Sequence, residues 1–141
     1  MDDNSRPDLD PEEFPSDGTV ATQAAFLLQY AVLAPSSHNS QPWAFVVDGD
    51  EVRVYADESR QLTVADPDGR ELLVSVGCAL ENLVVAAEHF GLGHDVEYLS
   101  DTGDRRGDEE ALRHVATVRL DPDAGAEATR RPALFDAITE R

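Results

Sequence analysis

The chain has 141 residues, a length that fits one domain with a modest core. Hydrophobic residues make up 41% and charged residues 28% of it, which is a globular composition and excludes a largely disordered protein. The sequence contains 29 acidic residues, 11 arginines and no lysine, so the formal net charge is −18. Such a surface repels nucleic acid and anionic lipid, and we expect neither nucleic acid nor a membrane as a partner.

The charge also predicts a dependence on salt. Repulsion among the carboxylates destabilises the compact state unless ions screen it. We therefore expect a halophilic protein, adapted to a cytoplasm of high salt, whose melting temperature rises steeply as KCl is added. Thermal unfolding followed by circular dichroism across a KCl series measures this, and a flat or falling curve would contradict it.

Cysteine content and the first residues indicate the compartment. The single cysteine, Cys78, excludes an intramolecular disulfide and fits a reducing cytoplasm. The opening stretch MDDNSRPDLDPEEFP is acidic and rich in proline, unlike a secretory or transit peptide. No apolar run approaches the length that crosses a membrane. We expect a soluble cytoplasmic protein, with residues 1–18 as an acidic disordered arm and residues 19–141 as the domain.

The first predicted elements are a helix and a hairpin. Apolar residues recur at helical spacing from residue 20 onward. Ser16, Asp17 or Thr19 is available as the N-cap, and Pro35 ends the helix. The periodic residues are Val20, Ala24, Leu27, Leu28 and Ala31. AFVV and EVRVYA then flank the turn DGD at residues 48–50, which predicts a β-hairpin.

A second and longer helix follows the hairpin. Asp66 is its expected N-cap, Pro67 its first residue, and Gly91 or Gly93 its end. One apolar stripe runs along it, formed by Leu72, Val76, Ala79, Leu80, Leu83, Ala87 and Phe90.

The remaining chain predicts two strands and a last helix. DVEYL and VATVRL alternate like strands and are separated by SDTGDRRGDEEALRH, which has the composition of a loop. A final helix begins near Pro132. The order of elements predicts an α+β domain with antiparallel strand pairing, not an alternating parallel sheet.

Several candidate chemistries are poorly supported. No histidine stands at metal-ligand spacing from a carboxylate or cysteine on one helix face, so we expect no zinc site. The cluster Ser36-Ser37-His38 lacks the G-x-S-x-G of a nucleophile elbow. Cys78 lies beside the apolar stripe and is more typical of a small buried residue than of a reactive thiol.

The stretch APSSHNSQPWAF, residues 34–45, is the most informative one, and two interpretations of it stay open. One is a helix end followed by turns that satisfy their own backbone, with Trp43 as an anchor in the core. The other is a polar cradle for a flat heteroaromatic ring. The amides of Asn39 and Gln41 match the alternating donors and acceptors of such a ring, and Pro42 with Trp43 would hold the loop still.

The same residues resemble a known family. LAPSSHNSQPWAF is similar to the loop of FMN-dependent nitroreductases, in which A-P-S, an Asn and then Q-P-W follow the first helix of the flavin site. The His-Asn pair and the stretch RQLTVADPDGREL after the hairpin make the Acg-like branch the closest match. The resemblance covers residues 19–141, nearly everything beyond the acidic arm.

This resemblance implies an α+β nitroreductase fold that binds FMN and passes electrons from NAD(P)H to small acceptors such as nitro compounds or quinones. It places Ser36, Ser37, His38, Asn39 and Gln41 on the loop that contacts the flavin. Two alternatives remain: a non-catalytic module that binds or sequesters flavin, and an inactive, truncated remnant that acts only in an assembly.

Proteins of the Acg-like branch are longer and have two similar halves, so the resemblance implies only the N-terminal half. It also implies an Arg-rich phosphate-binding segment after residue 141, for which Arg60, Arg70 or a second chain could substitute. A half-length fold exposes the surface that its other half would cover. We therefore expect self-association, as a dimer, or pairing with a second half-domain.

Overall fold

A computed structural model describes residues 9–62, 64–99, 105–106, 109–123 and 131–139. It contains three helices, α1 (Val20–Ala31), α2 (Arg70–His89) and α3 (Pro132–Thr139). The strands are β1 (Trp43–Asp48), β2 (Glu51–Asp57), β3 (Gly93–Tyr98), β4 (Arg105–Arg106) and β5 (Glu109–Asp121). Short 3₁₀ turns lie at Pro11–Glu13, Ser37–Asn39 and Glu58–Arg60.

The strands form one antiparallel sheet in the order β1-β2-β5-β3, with β4 paired to β5. β1 and β2 are the predicted hairpin, because Asp48 pairs with Glu51 across the turn formed by Gly49 and Asp50. Gly49 has a φ of +61°, which glycine adopts without a steric cost. The predicted α+β class with antiparallel pairing is confirmed.

Strand β5 begins earlier than the sequence predicts. The stretch at residues 100–114 has the composition of a loop, yet residues 105–106 and 109–114 belong to β4 and β5. Arg113 and His114 pair with Ala56 and Tyr55 of β2. Pairing with a neighbouring strand overrides local propensity, so the predicted loop is wrong over these residues.

Helix α1 begins where one of its three candidate caps predicts. Thr19 Oγ1 accepts a hydrogen bond from the amide of Thr22 at 3.1 Å. The helix ends at Ala31, ahead of Pro35. On its buried face, Tyr30 is 1% exposed, and burial, with a smaller contribution from the charge of Asp10, raises the pKa of the Tyr30 phenol.

Helix α2 begins at Arg70, three residues after the predicted start at Pro67. A tight turn intervenes, in which the amide of Gly69 donates to the carbonyl of Asp66, and Gly69 occupies the cap position with a φ of +74°. Asp66 lies before the helix, yet its carboxylate still accepts hydrogen bonds from amides of the first helical turn. Its Oδ1 accepts from the amide of Glu71 at 3.1 Å and its Oδ2 from the amide of Leu72 at 2.9 Å. The predicted start was wrong, whereas the carboxylate that caps the helix is the predicted one.

Helix α2 lies at the centre of the core. The predicted stripe is buried from Leu72 to Ala87, and Phe90 is half-buried. Gly91, with a φ of +82°, ends the helix, and the amide of Leu92 donates back to the carbonyl of Ala87 at 2.9 Å. By length and composition α2 could span a membrane, but 61% of that stretch is buried within the domain, as in the core helix of a soluble protein.

Residues 9–18 contact the domain. Phe14 stacks on Phe90 with ring centroids 4.4 Å apart and planes within 10°, and it meets Phe26 edge to face. The side-chain amide of Gln23 donates to the carbonyl of Pro15 at 3.1 Å. The division of the chain at residue 18 stays a prediction, and residues 1–8 lie outside the described part of the chain.

Candidate functional site

The loop between α1 and β1 has an unusual backbone. His38, Asn39 and Gln41 have φ angles of 52°, 55° and 48°, in the left-handed region that residues with a side chain seldom adopt. Each such residue costs about 1 kcal/mol or more unless its surroundings enforce it. Three of them within four positions mark a loop whose shape is imposed by its contacts.

Hydrogen bonds within the loop impose part of this shape. The amide of Gln41 donates to Ser36 Oγ at 3.0 Å, which closes a ring across the loop. Gln41 Nε2 also donates to Asn39 Oδ1 at 3.3 Å. The two predicted amides therefore lie side by side, and Ser36 holds the backbone that carries one of them.

Neighbouring elements hold the loop from outside. Arg60, in the turn after β2, donates through Nη1 to the carbonyl of Ser40 at 3.2 Å. Pro42 is fully buried, and its carbonyl accepts from the amide of Asp57 at 2.8 Å. Trp43 is partly buried and packs against the core. The loop is thus fixed at its exit, in keeping with the predicted anchoring role of Pro42 and Trp43.

The predicted site residues adjoin three hollows instead of one. Ser36 lines a cavity of about 290 Å³ beside Val74 and Cys78 of α2, which we call the α2 cavity. His38 lines a second one of about 410 Å³. Gln41 lines a third of about 440 Å³, the β1 cavity. Asn39 is exposed next to Gln41, and the side chain of Ser37 lies outside the described part.

The β1 cavity has a mixed lining in which polar surface predominates. Trp43, Phe45 and Leu28 contribute apolar surface, and Gln41 and Arg60 contribute an amide and a guanidinium. Ligand sites are usually lined mainly by apolar side chains with a few polar groups that fix orientation, so this cavity is more polar than most. Trp43 and Phe45 can contact a flat ring, whereas Asp57 lines the same cavity and opposes an anionic substituent near Arg60.

Arg60 has a role that the sequence did not reveal. It was a candidate for phosphate binding, and the structure gives it two local contacts: the carbonyl of Ser40 and, at 3.4 Å, a carboxylate oxygen of Asp57. Its side chain is still 57% exposed. Arg70 is exposed at the first residue of α2.

The sequence signal for the strained backbone was the His-Asn pair, since Asn and His are enriched in the left-handed region.

Other reactive side chains are less organised. Cys78 is half-buried and lines the α2 cavity, so it is more accessible than the sequence predicted. Within the described residues, no three metal-ligating side chains lie close enough together to hold an ion.

Sequence relatives are nitroreductases by name, although no family model matches the chain. Over 109 residues it is 38% identical to the Mycobacterium tuberculosis protein named "Putative NAD(P)H nitroreductase Rv3131", covering 77% of this chain and 28% of that protein. Over 95 residues it is 36% identical to "Putative NAD(P)H nitroreductase acg" of the same organism, covering 67% of this chain and 27% of that one. The chain spans little more than a quarter of the length of these relatives.

Solved structures share the fold. A nitroreductase-like protein from Streptococcus mutans superposes with a TM-score of 0.58 at 15% identity, over 84% of this chain and 83% of that one. A "putative nitroreductase" from Exiguobacterium sibiricum, solved in complex with FMN, superposes with a TM-score of 0.56 at 15% identity. The match covers 72% of this chain and 77% of that one. In sequence the chain resembles part of the Acg-like nitroreductases, and it has the nitroreductase fold.

Proposed function

We propose that the chain is a flavin-binding domain of nitroreductase type and that the loop at residues 36–41 holds the ring of FMN. The observation that carries this proposal is the strained loop. His38, Asn39 and Gln41 have left-handed conformations and are exposed, and hydrogen bonds to Ser36 hold the backbone of Asn39 and Gln41. Strain of this kind clusters at binding sites, where a rigid loop avoids the entropy cost of ordering when the ligand binds.

The donor set fits the ring better than the phosphate. The edge of an isoalloxazine carries alternating donors and acceptors, which the amides of Asn39 and Gln41 can match. Ser36, Ser37 and His38 complete the proposed flavin-contacting set. Arg60 is the best placed candidate for the phosphate, because it lines the β1 cavity beside Gln41. It shares its charge with Asp57, so we expect phosphate binding to be weak without a further arginine.

The proposed reaction is electron transfer from NAD(P)H to small acceptors such as nitro compounds or quinones. FMN supplies the hydride and electron chemistry when bound, which no side chain of this protein offers. The protein's part is to orient the ring and to set its electrostatics. Amide donors at the polar edge favour the negative charge that reduction places there, so Asn39 and Gln41 would raise the reduction potential.

A second candidate is a module that binds or sequesters flavin without turnover, or one that acts only in an assembly. On the exposed face of α2, Val74 is 66% exposed and Leu73 is 37% exposed, next to the α2 cavity. We propose that a second copy or a second half-domain covers these side chains.

Glycine substitutions test the loop without adding strain. Gln41→Gly and Asn39→Gly each remove an amide at a left-handed position that glycine tolerates. We expect each to weaken FMN binding about tenfold, the value of one good hydrogen bond, while the free energy of unfolding stays level or rises. Quenching of FMN fluorescence in molar KCl measures the affinity. Gln29→Ala, an exposed glutamine on α1, is the matched control and should bind FMN like the wild type.

The same samples separate the candidate functions. Flavin binding with bleaching of the visible bands by NADH or NADPH supports an oxidoreductase. Binding without bleaching supports the sequestering module. A wild-type protein that takes up no FMN would contradict both the oxidoreductase and the sequestering module. The remaining candidate would be a component that acts only in an assembly, and light scattering would detect its self-association. Glycine variants that bind FMN as tightly as the wild type would remove the loop from the proposed site.

A further inference from the structure

Glu88, in the last turn of α2, is a buried carboxylate in a strongly acidic protein. It is 5% exposed, and both of its oxygens are engaged. Oε1 accepts a hydrogen bond from Arg131 Nε at 2.9 Å, and Oε2 lies 2.8 Å from His94 Nε2. Burying a carboxylate is costly unless its charge is paired. Because His94 belongs to β3 and Arg131 directly precedes α3, Glu88 joins three separate elements.

The backbone of Arg131 begins α3, since its carbonyl accepts from the amide of Phe135 at 3.0 Å, but its side chain does not serve that helix. The residue stands just before Pro132, at the helix end where the positive end of the dipole disfavours a cation. Its guanidinium reaches α2 instead, with Nη1 3.1 Å from Glu81 Oε2 in addition to the contact with Glu88. The hydrogen bond with Glu88 raises the pKa of Arg131, as expected when a contact favours the charged form. Docking onto α2, and not capping of α3, explains this arginine.

Helix α3 needs such a contact to stay in place. Its described part has eight residues, a length at which an isolated helix is unstable in water. Its buried side chains are Phe135 and Ile138. The ring of Phe135 stacks on His89 with centroids 3.8 Å apart and parallel planes. Arg131 and Phe135 therefore dock on two consecutive residues of α2, one through charge and the other through ring stacking.

We propose that α3 is a strap that opens and closes over the core as a unit, with the contact between Arg131 and Glu88 as its latch. The strap forms one wall of a cavity of about 330 Å³ whose other wall is α2, at Glu81, Asn82 and Val85. Phe135 also packs against the buried Tyr30, with ring centroids 5.0 Å apart. Opening the latch exposes this apolar surface while the sheet stays intact.

Hydrogen exchange of the full chain in molar KCl tests the latch. In Arg131→Gln and in Glu88→Gln, we expect the amides of α3 to exchange about tenfold faster or more, since a charged hydrogen bond is lost. The amides of β2 and β5 should keep their wild-type rates. Arg119→Gln is the matched control, because Arg119 is an exposed arginine on β5 whose ion pair is with Glu51 of β2, and it should leave α3 unchanged.

Two results would overturn the proposal. One is wild-type exchange of α3 in both variants, and the other is an equal increase across α2, β2 and α3, which indicates general destabilisation. Arg131→Lys keeps the charge but loses the planar fork, and we expect an intermediate rate in α3. If Arg131→Gln fails to fold, this variant decides, because an unchanged rate in Arg131→Lys would also overturn the latch.

Discussion

Replacing Asp66 with alanine is expected to destabilise the domain by about 3 kcal/mol, because one buried carboxylate satisfies two amides of the central helix. Its two oxygens accept from the amides of Glu71 and Leu72, and the residue is 6% exposed. Gly69, which occupies the cap position, offers no side chain to replace it. The loss would leave two helix amides without partners at the N-terminus of α2, where water reaches only part of the site. Chemical denaturation in molar KCl measures the effect.

The neighbouring acid provides the control for this substitution. Asp68 is exposed, so Asp68→Ala removes the same charge and should change the free energy of unfolding by less than about 0.5 kcal/mol. Asp66→Asn keeps one acceptor oxygen and should lie between the two. Equal stability of the Asp66→Ala and Asp68→Ala proteins would show that the amides of α2 find other partners.

Replacing Phe14 with alanine is expected to cost about 2 kcal/mol, which places part of the predicted arm within the folded domain. The ring stacks on Phe90 and meets Phe26 edge to face, so the substitution removes apolar burial and two aromatic contacts. The side chain is only partly buried, which keeps the cost below that of a central core residue. Differential scanning calorimetry in molar KCl gives the change.

Glu13→Ala serves as the control for Phe14, because Glu13 is exposed in the preceding turn and contributes no core contact. It should melt at the wild-type temperature or slightly above, since it lowers the negative charge. A Phe14→Ala protein as stable as this control would mean that residues 9–18 detach without consequence and that the predicted division at residue 18 describes the folding unit.

The sequence predicted those parts of the fold that local patterns determine. The apolar stripe of α2, the hairpin around residues 48–50 and a cap of α1 among three candidates depend on residues close together in the chain, and each is found in the structure. The beginning of β5 depends on pairing with Ala56 and Tyr55, more than fifty residues away, so its acidic composition was misleading. The start of α2 was displaced because the turn at residues 66–69 comes between Asp66 and the amides that it caps.

The constraint on the candidate loop was predictable from the sequence, whereas its geometry was not. A run of polar residues closed by Pro-Trp indicated a constrained loop, and the resemblance to nitroreductases named its members. Neither could reveal that Ser36 braces the backbone of Gln41, or that the members adjoin three separate cavities. These features follow from φ angles and from Arg60, which lies twenty residues further along the chain.

The buried pairing of Glu88 has a consequence for how the protein responds to salt. Dissolved ions weaken attraction and repulsion alike wherever water reaches the charges. Added salt therefore reduces the repulsion among the exposed carboxylates, and it also reduces the attraction within exposed ion pairs. Glu88 is shielded from those ions by the protein around it. The interactions among exposed charges thus depend on the salt in the surrounding medium, whereas the interactions of the buried Glu88 depend on it less. Adaptation to a different salinity could therefore proceed on the outside without disturbing how the last helix is attached.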